Sequence, residues 1–268
     1  MSFAKASGVV LRSESTYTGV IQQGWDFAGV ANGGYLLTVA SRAMAQEASG
    51  RDLVSITGYY TNPARSGPVT IPVKTVRAGT GFSTLRATMI GNDKPILTAT
   101  AAFSSPTQTL GDNQIVHGAP PELPPPEECV RAVPSTTGPF PPPFTGKCQL
   151  LIHPDDARSL SGQRTGIASV RGWFRLLEGE APDPLAVVLA ADAFPPAVFN
   201  TNLPLRWVPT VELTVHIRDP QPRGWLKCQY TTRFVTGGML EEDGEIWDEY
   251  GNLVAQSRQL ALVPRKKH

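Results

Sequence analysis

The chain carries almost no excess charge. Its 268 residues hold 24 Lys plus Arg against 23 Asp plus Glu, a net charge of +1. That balance leaves no electrostatic footprint for nucleic acid or an anionic membrane. Long apolar runs are missing too. The longest, Leu185 to Ala191, covers seven residues before Asp192 interrupts it, and a membrane span needs about 20. The N-terminal stretch MSFAKASGVVLRSES has a Lys but no apolar core, so no signal peptide is expected. Cysteine is scarce. Cys129, Cys148 and Cys228 are odd in number, widely spaced and form no CxxC pair; a reducing, cytoplasmic compartment is the expectation. Histidine is equally sparse: His117, His153, His216 and His268 never fall four residues apart. No GxSxG, GxxxxGK[ST] or HExxH string occurs.

What is present is apolar material for a sizeable core, 41% hydrophobic against 18% charged. Proline is concentrated: ten of the 25 residues from Ala119 to Pro143. A stretch that lacks backbone donors and has fixed φ angles supplies neither a helix nor a central strand. It reads as an extended linker over the surface, within a linker region 106–165, between a first unit at 1–105 and a second at 166–268. Each unit shows the same order, a strand, a helix and then several strands, with GIASVRGWFRLL as the leading strand of the second. In the first, Asn32-Gly33-Gly34 opens a helix within 29–49, then LVSITGYYTNP, VTIPVKTVRAG, STLRATMIG and ILTATAAF read as strands. In the second, Asp183-Pro184 supplies an N-cap and an N1 proline for a helix within 183–199. TVELTVHIRDP, GWLKCQYTTRF, MLEEDGEIWDEY and NLVAQSRQLALV follow. The halves align with Ile56-Thr57 on Leu213-Thr214, Pro63 on Pro220 and LTATAAF on VAQSRQL. A repeat of about 100 residues is a duplicated domain. One helix lying in a curved antiparallel sheet, twice over, is an α+β double hot dog.

Duplication singles out polar residues that the fold does not require. Thr210 falls on Leu53 and Gln259 on Ala102, while Asp192 has no charged counterpart in the first helix. Asp192 is the only charge between Pro184 and Phe199, and burial of such a carboxylate raises its pKa towards that of a general base; the alternative is a side chain capping local backbone. Gln259 shares a strand face with Leu253, Ala255, Ser257, Ala261 and Val263. There it either holds a water or bonds to neighbouring backbone. Thr210 lies on the polar side of an alternating strand, with residues 212, 214, 216 and 218, which by itself places it against solvent. Gly33-Gly34 either offer free N–H groups to an oxyanion or simply permit close packing. Tyr59, Tyr60, Trp207 and His216 either line an acyl tunnel or pack.

The strings VANGGYLLTVASRAM, ITGYYTNPARSGPVTIPVKTVRAG, LAADAFPPAVFN, VPTVELTVHIR and GNLVAQSRQLAL resemble the double hot-dog acyl-CoA thioesterases of the bacterial thioesterase II, TesB-like type. The resemblance spans both halves and leaves out the proline belt. It implies a hydrolytic water oriented by an Asp, a Thr and a Gln, which match Asp192, Thr210 and Gln259 by type, with Asn32, Gly33 and Gly34 as substrate or oxyanion contacts. It further implies an acyl-CoA or other acyl-thioester substrate, no metal, no cofactor, and further assembly into a homo-oligomer. Two rivals remain: an enoyl-thioester hydratase, which would need a His beside Asp192, and a non-catalytic acyl-CoA binder.

Overall fold

The computed structural model describes residues 1–105, 115–177, 180–203 and 207–263; His268 and the first part of the expected linker, 106–114, lie outside them. After a four-residue helix α1 (Phe3–Ala6), the chain forms strands β1 (Val9–Ser13) and β2 (Thr16–Ile21). A small two-stranded ribbon follows, β3 (Asp26–Phe27) with β4 (Val30–Ala31). Helix α2 (Gly33–Glu47) then leads into β5 (Asp52–Tyr60), β6 (Gly67–Ala78), β7 (Phe82–Gly91) and β8 (Lys94–Ser104). The second half begins with β9 (Val130–Arg131), β10 (Cys148–Ile152) and β11 (Ser169–Leu176). Helix α3 (Pro184–Ala190) follows, then β12 (Thr210–Ile217), β13 (Leu226–Thr231), β14 (Val235–Thr236), β15 (Met239–Asp248) and β16 (Leu253–Leu262).

One continuous sheet joins both halves. Outward from β5 run β8, β7, β6, β2 and β1; outward from its neighbour β12 run β16, β15, β13, β11, β10 and β9. Apart from β9, which has no counterpart in the first half, the two series match strand for strand in chain order, with β1 and β2 answering to β10 and β11, so the sheet is a duplicated unit joined edge to edge. The seam is antiparallel and sets Thr57 opposite Thr214, their hydroxyls 2.8 Å apart. These are the residues the repeat alignment equates, so a local two-fold passes between them. This is the double hot-dog arrangement, with α2 packed against the sheet and α3 against α2. Helix α2 is buried through most of its length, including Tyr35, Leu37 and Met44.

Three expectations are corrected. The second repeat takes in chain from the 106–165 linker: Cys148–Ile152 pairs with β11, and alternating burial of Cys148, Leu150 and Ile152 explains why it does. The belt supplies no central strand, since β9 is the last strand of the sheet, yet it is more than surface linker, as the cavity shows below. The second helix ends at Ala190 instead of reaching 199. Its cap is as expected, with Asp183 accepting from Ala186 N–H at 2.7 Å and Pro184 following. Beyond Ala191 the chain turns, and Pro195-Pro196 lead into a separate 3-10 turn, Ala197–Asn200.

Candidate active site

That turn puts Asp192 outside the helix and aims it at the other repeat. Its carboxyl sits at the N-terminus of α2. Gly34 N–H donates to Asp192 Oδ2 at 2.8 Å, and Asn32 Nδ2 reaches Oδ2 at 3.0 Å and the Asp192 carbonyl at 2.8 Å, with the Gly33 N–H beside the same carboxyl. Asn32 also caps α2, its Oδ1 accepting Tyr35 N–H at 2.8 Å. A helix N-terminus favours negative charge through its free donors and dipole. Here the chain's own carboxylate takes that place. Burial pushes the Asp192 pKa up to about 6, while the N–H groups of Gly34 and Gly33 and the Asn32 amide hold it back. The dipole that acts on Asp192 is therefore that of α2, and it restrains the pKa.

The approach is so close that only glycine fits. A Cβ on Gly34 would come within 2.9 Å of Asp192 Cβ, 3.0 Å of the Leu189 carbonyl and 3.1 Å of the Val188 carbonyl. Backbone oxygens cannot swing away. Gly34→Ala is expected to destabilise the protein by about 1–3 kcal/mol, read as a lower denaturant midpoint; an unchanged midpoint would mean that the two helices separate freely.

Thr210 faces inward because of a β-bulge. Thr210 pairs with Ala261, but Glu212 pairs with Leu260, so Val211 is an extra residue. The bulge resets the alternation and turns Thr210 to the face of Gln259 and Ala261. The first repeat carries the same irregularity between Leu53 and Ser55, which supports the equivalence of Thr210 with Leu53. Gln259 is buried, and its Nε2 donates to Thr210 Oγ1 at 2.5 Å. Its counterpart is corrected by one residue. Leu213 pairs with Gln259 and the equivalent Ile56 pairs with Ala101, not Ala102. A one-residue slip in a strand exchanges faces, and Ala101 is the buried one.

Asp192, Thr210 and Gln259 line one cavity of about 810 Å³, together with Asn32, Gly33 and Tyr60. The walls are largely apolar and include Phe27, Leu36, Phe144, Leu150 and Phe199. Phe27 stacks on Trp207 with ring centroids 4.4 Å apart and touches Phe140 at 4.5 Å. The proline belt contributes Pro139 to Pro142, so its end is a wall of the cavity. Trp207 and Tyr60 line the cavity; Tyr59 and His216 are exposed and do not. Among the described residues, no three of His, Cys, Asp and Glu lie close enough to hold a metal ion, and no helix is long and apolar enough to cross a membrane.

Sequence reasoning missed Glu242. It sits on β15 directly opposite Gln259, is buried, and accepts Ala197 N–H at 2.6 Å. The signal was Leu240, Gly244 and Ile246 on its own strand face. Burial, with the nearby Asp192 charge adding to it, pushes its pKa from 4.5 up to about 8. A carboxyl that holds its proton better when folded loses stability as pH rises from about 4.5 towards 8, because the native state then binds more protons than the unfolded chain. Glu242→Gln is expected to flatten the fall in Tm between pH 6 and 8; an unaltered slope would place the linkage elsewhere.

Fold and cavity define a double hot-dog protein with a buried acid at the junction of its repeats. Residues 21–104 match the acyl-CoA thioesterase N-terminal domain and residues 126–263 the acyl-CoA thioesterase C-terminal domain. The chain belongs to this acyl-CoA thioesterase family. The second match begins inside the proline belt, which the resemblance had left out. A solved structure of a candidate thioesterase II from Thermobifida fusca YX is 33% identical, with a TM-score of 0.86 over 99% of this chain and 98% of that one. A hot-dog protein of Alicyclobacillus acidocaldarius shares the fold at 22% identity and a TM-score of 0.84, over 99% and 98% of the two chains. An acyl-CoA thioesterase II, TesB2, of Mycobacterium marinum shares it at 20% identity and a TM-score of 0.72, over 99% of each. An uncharacterised protein of Mycobacterium tuberculosis (strain H37Rv) is 37% identical over 86 residues, 32% of this chain and 29% of that protein's length.

Proposed function

We propose that the protein hydrolyses an acyl thioester, with acyl-CoA as the substrate class, by direct attack of water. One observation carries this reading: a buried carboxyl with a pKa near 6 sits on the wall of a largely apolar cavity, which a hydrogen-bonded Thr–Gln pair also lines. The apolar walls suit an acyl chain. Asp192 accepts the proton of the attacking water. Thr210 and Gln259 hold that water, since the Thr210 hydroxyl, already accepting from Gln259, still has a proton to donate, and the Gln259 carbonyl oxygen is an acceptor. No Ser or Cys nucleophile is needed. The N–H groups of Gly33 and Gly34 serve Asp192 in this scheme, holding the base in place, rather than an oxyanion.

A cytoplasmic location is part of this proposal, and three free cysteines, Cys129, Cys148 and Cys228, agree with a compartment that keeps thiols reduced. A panel of acyl-CoAs with free-thiol detection tests the function. Thiol release with at least one of them is expected. Saturable binding without release would instead make the protein an acyl-CoA binder.

A further inference from the structure

We propose that the Tyr60 hydroxyl is the donor that stabilises the thioester carbonyl oxygen as it becomes an oxyanion; this rests on the hydrolytic reading above. In many sites the start of a helix would supply N–H groups to a developing anion. At α2 the Gly34 N–H already bonds to Asp192, the Gly33 N–H lies beside the same carboxyl and helps lower its pKa, and Asn32 Nδ2 spends itself on the same residue. Gln259 Nε2 gives one of its two N–H groups to Thr210.

Tyr60 differs from all of these. Among the described residues, four buried side-chain polar atoms lack a hydrogen-bond partner, on Arg42, Tyr60, Asn200 and Thr232. Only Tyr60 belongs to a residue lining the cavity. A buried hydroxyl without a partner is costly to the folded protein, so an acceptor supplied by substrate has a ready donor. The position suits the task. A Cβ built on Gly33 would lie 3.1 Å from Tyr60 Oη and 2.9 Å from Asp192 Oδ2. Phenol and base therefore both lie beside the bare Cα of Gly33. The hydroxyl also stays protonated: burial first, then the charges of Asp192 and Glu212, push its pKa well above the ordinary value.

The step balances. Water oxygen bonds to the thioester carbon while its proton passes to Asp192. The carbonyl π pair moves onto oxygen, which accepts the Tyr60 hydrogen bond. Collapse restores the C=O bond and breaks C–S, and the departing thiolate takes the proton from Asp192. Carboxylic acid and thiol leave, and Tyr60 keeps its proton throughout.

Tyr60→Phe removes a single oxygen that no protein group uses, so the fold should survive. On the best acyl-CoA, kcat is expected to fall at least about tenfold, with KM changed less than about threefold. The rise of activity with pH should keep its midpoint, and Tm should stay level or increase. A kcat within about twofold of wild type overturns the proposal. So does a Tm lower by several degrees, which would make the hydroxyl a structural group. Asp192→Asn, assayed alongside, separates the two claims. An inactive Asp192→Asn beside a fully active Tyr60→Phe leaves hydrolysis standing and removes Tyr60 from it. A fully active Asp192→Asn refutes the base assignment, and the Tyr60→Phe kcat then still decides the donor.

Discussion

Asp192→Asn is expected to lower kcat by about 10²–10⁴, the usual loss when a general base is removed, with the protein still folded. The substitution keeps the side chain's volume. It also keeps one oxygen to accept from Gly34 N–H and Asn32 Nδ2, the two donors that hold Oδ2. What disappears is the capacity to take a proton. The pH dependence gives a second signature. Burial raises the Asp192 pKa to about 6, and only the ionised form accepts a proton from water. Wild-type kcat should therefore climb through pH 6 and level off above about pH 7, and the residual activity of Asp192→Asn should lack that climb. The stability effect has the opposite sense: native Asp192 holds its proton more tightly than the unfolded chain, so it contributes less stability as pH rises from about 4 to 6. Activity and stability thus move in opposite directions over that window. A variant that turns over at the wild-type rate on a good substrate would reassign Asp192 to capping α2.

Much of this was legible in the sequence because it rests on local chemistry. Asp183-Pro184 announced the start of α3, and Asn32-Gly33-Gly34 that of α2, through capping rules that need no tertiary information. The duplication was visible because the paired strands keep their order, and the seam at Thr57 and Thr214 agrees with the alignment that equated them. The misreadings have a common cause: they depend on contacts between distant segments. Alternation alone sets Thr210 on the solvent side, and only the pairing of β12 with β16 shows the bulge that turns it inward. Gln259 was matched one residue off because hairpin register is fixed by strand pairing, not by gapless alignment. Helix α3 was drawn too long, since its apolar stretch carries no stop signal of its own before Pro195-Pro196. The chain turns instead, so that Asp192 reaches Gly34. The wall formed by the proline belt and the lone hydroxyl of Tyr60 left no periodic trace.

Gln259→Ala is expected to lower kcat by about 10², because the nucleophile loses its holder and misplacement by about 1 Å costs that much. Gln259 Nε2 donates to Thr210 Oγ1, which fixes the rotation of the threonine hydroxyl as well as its own amide. Alanine at 259 frees that hydroxyl and withdraws the carbonyl oxygen in one change. The effect should fall on kcat more than on KM, since the apolar walls that would hold an acyl chain are untouched. The duplication sharpens the expectation. In the first repeat the equivalent positions are Leu53 and Ala101, both buried and neither able to bind water. No second copy of the machinery is available to compensate, so activity should drop as a whole rather than by half. Titration with a tight, non-hydrolysable acyl-CoA analogue should accordingly find one productive site per chain, at the junction where Asp192 of the second repeat meets the start of α2 in the first. Two equivalent sites, or a fully active Gln259→Ala, would move the chemistry away from this junction and into the other repeat.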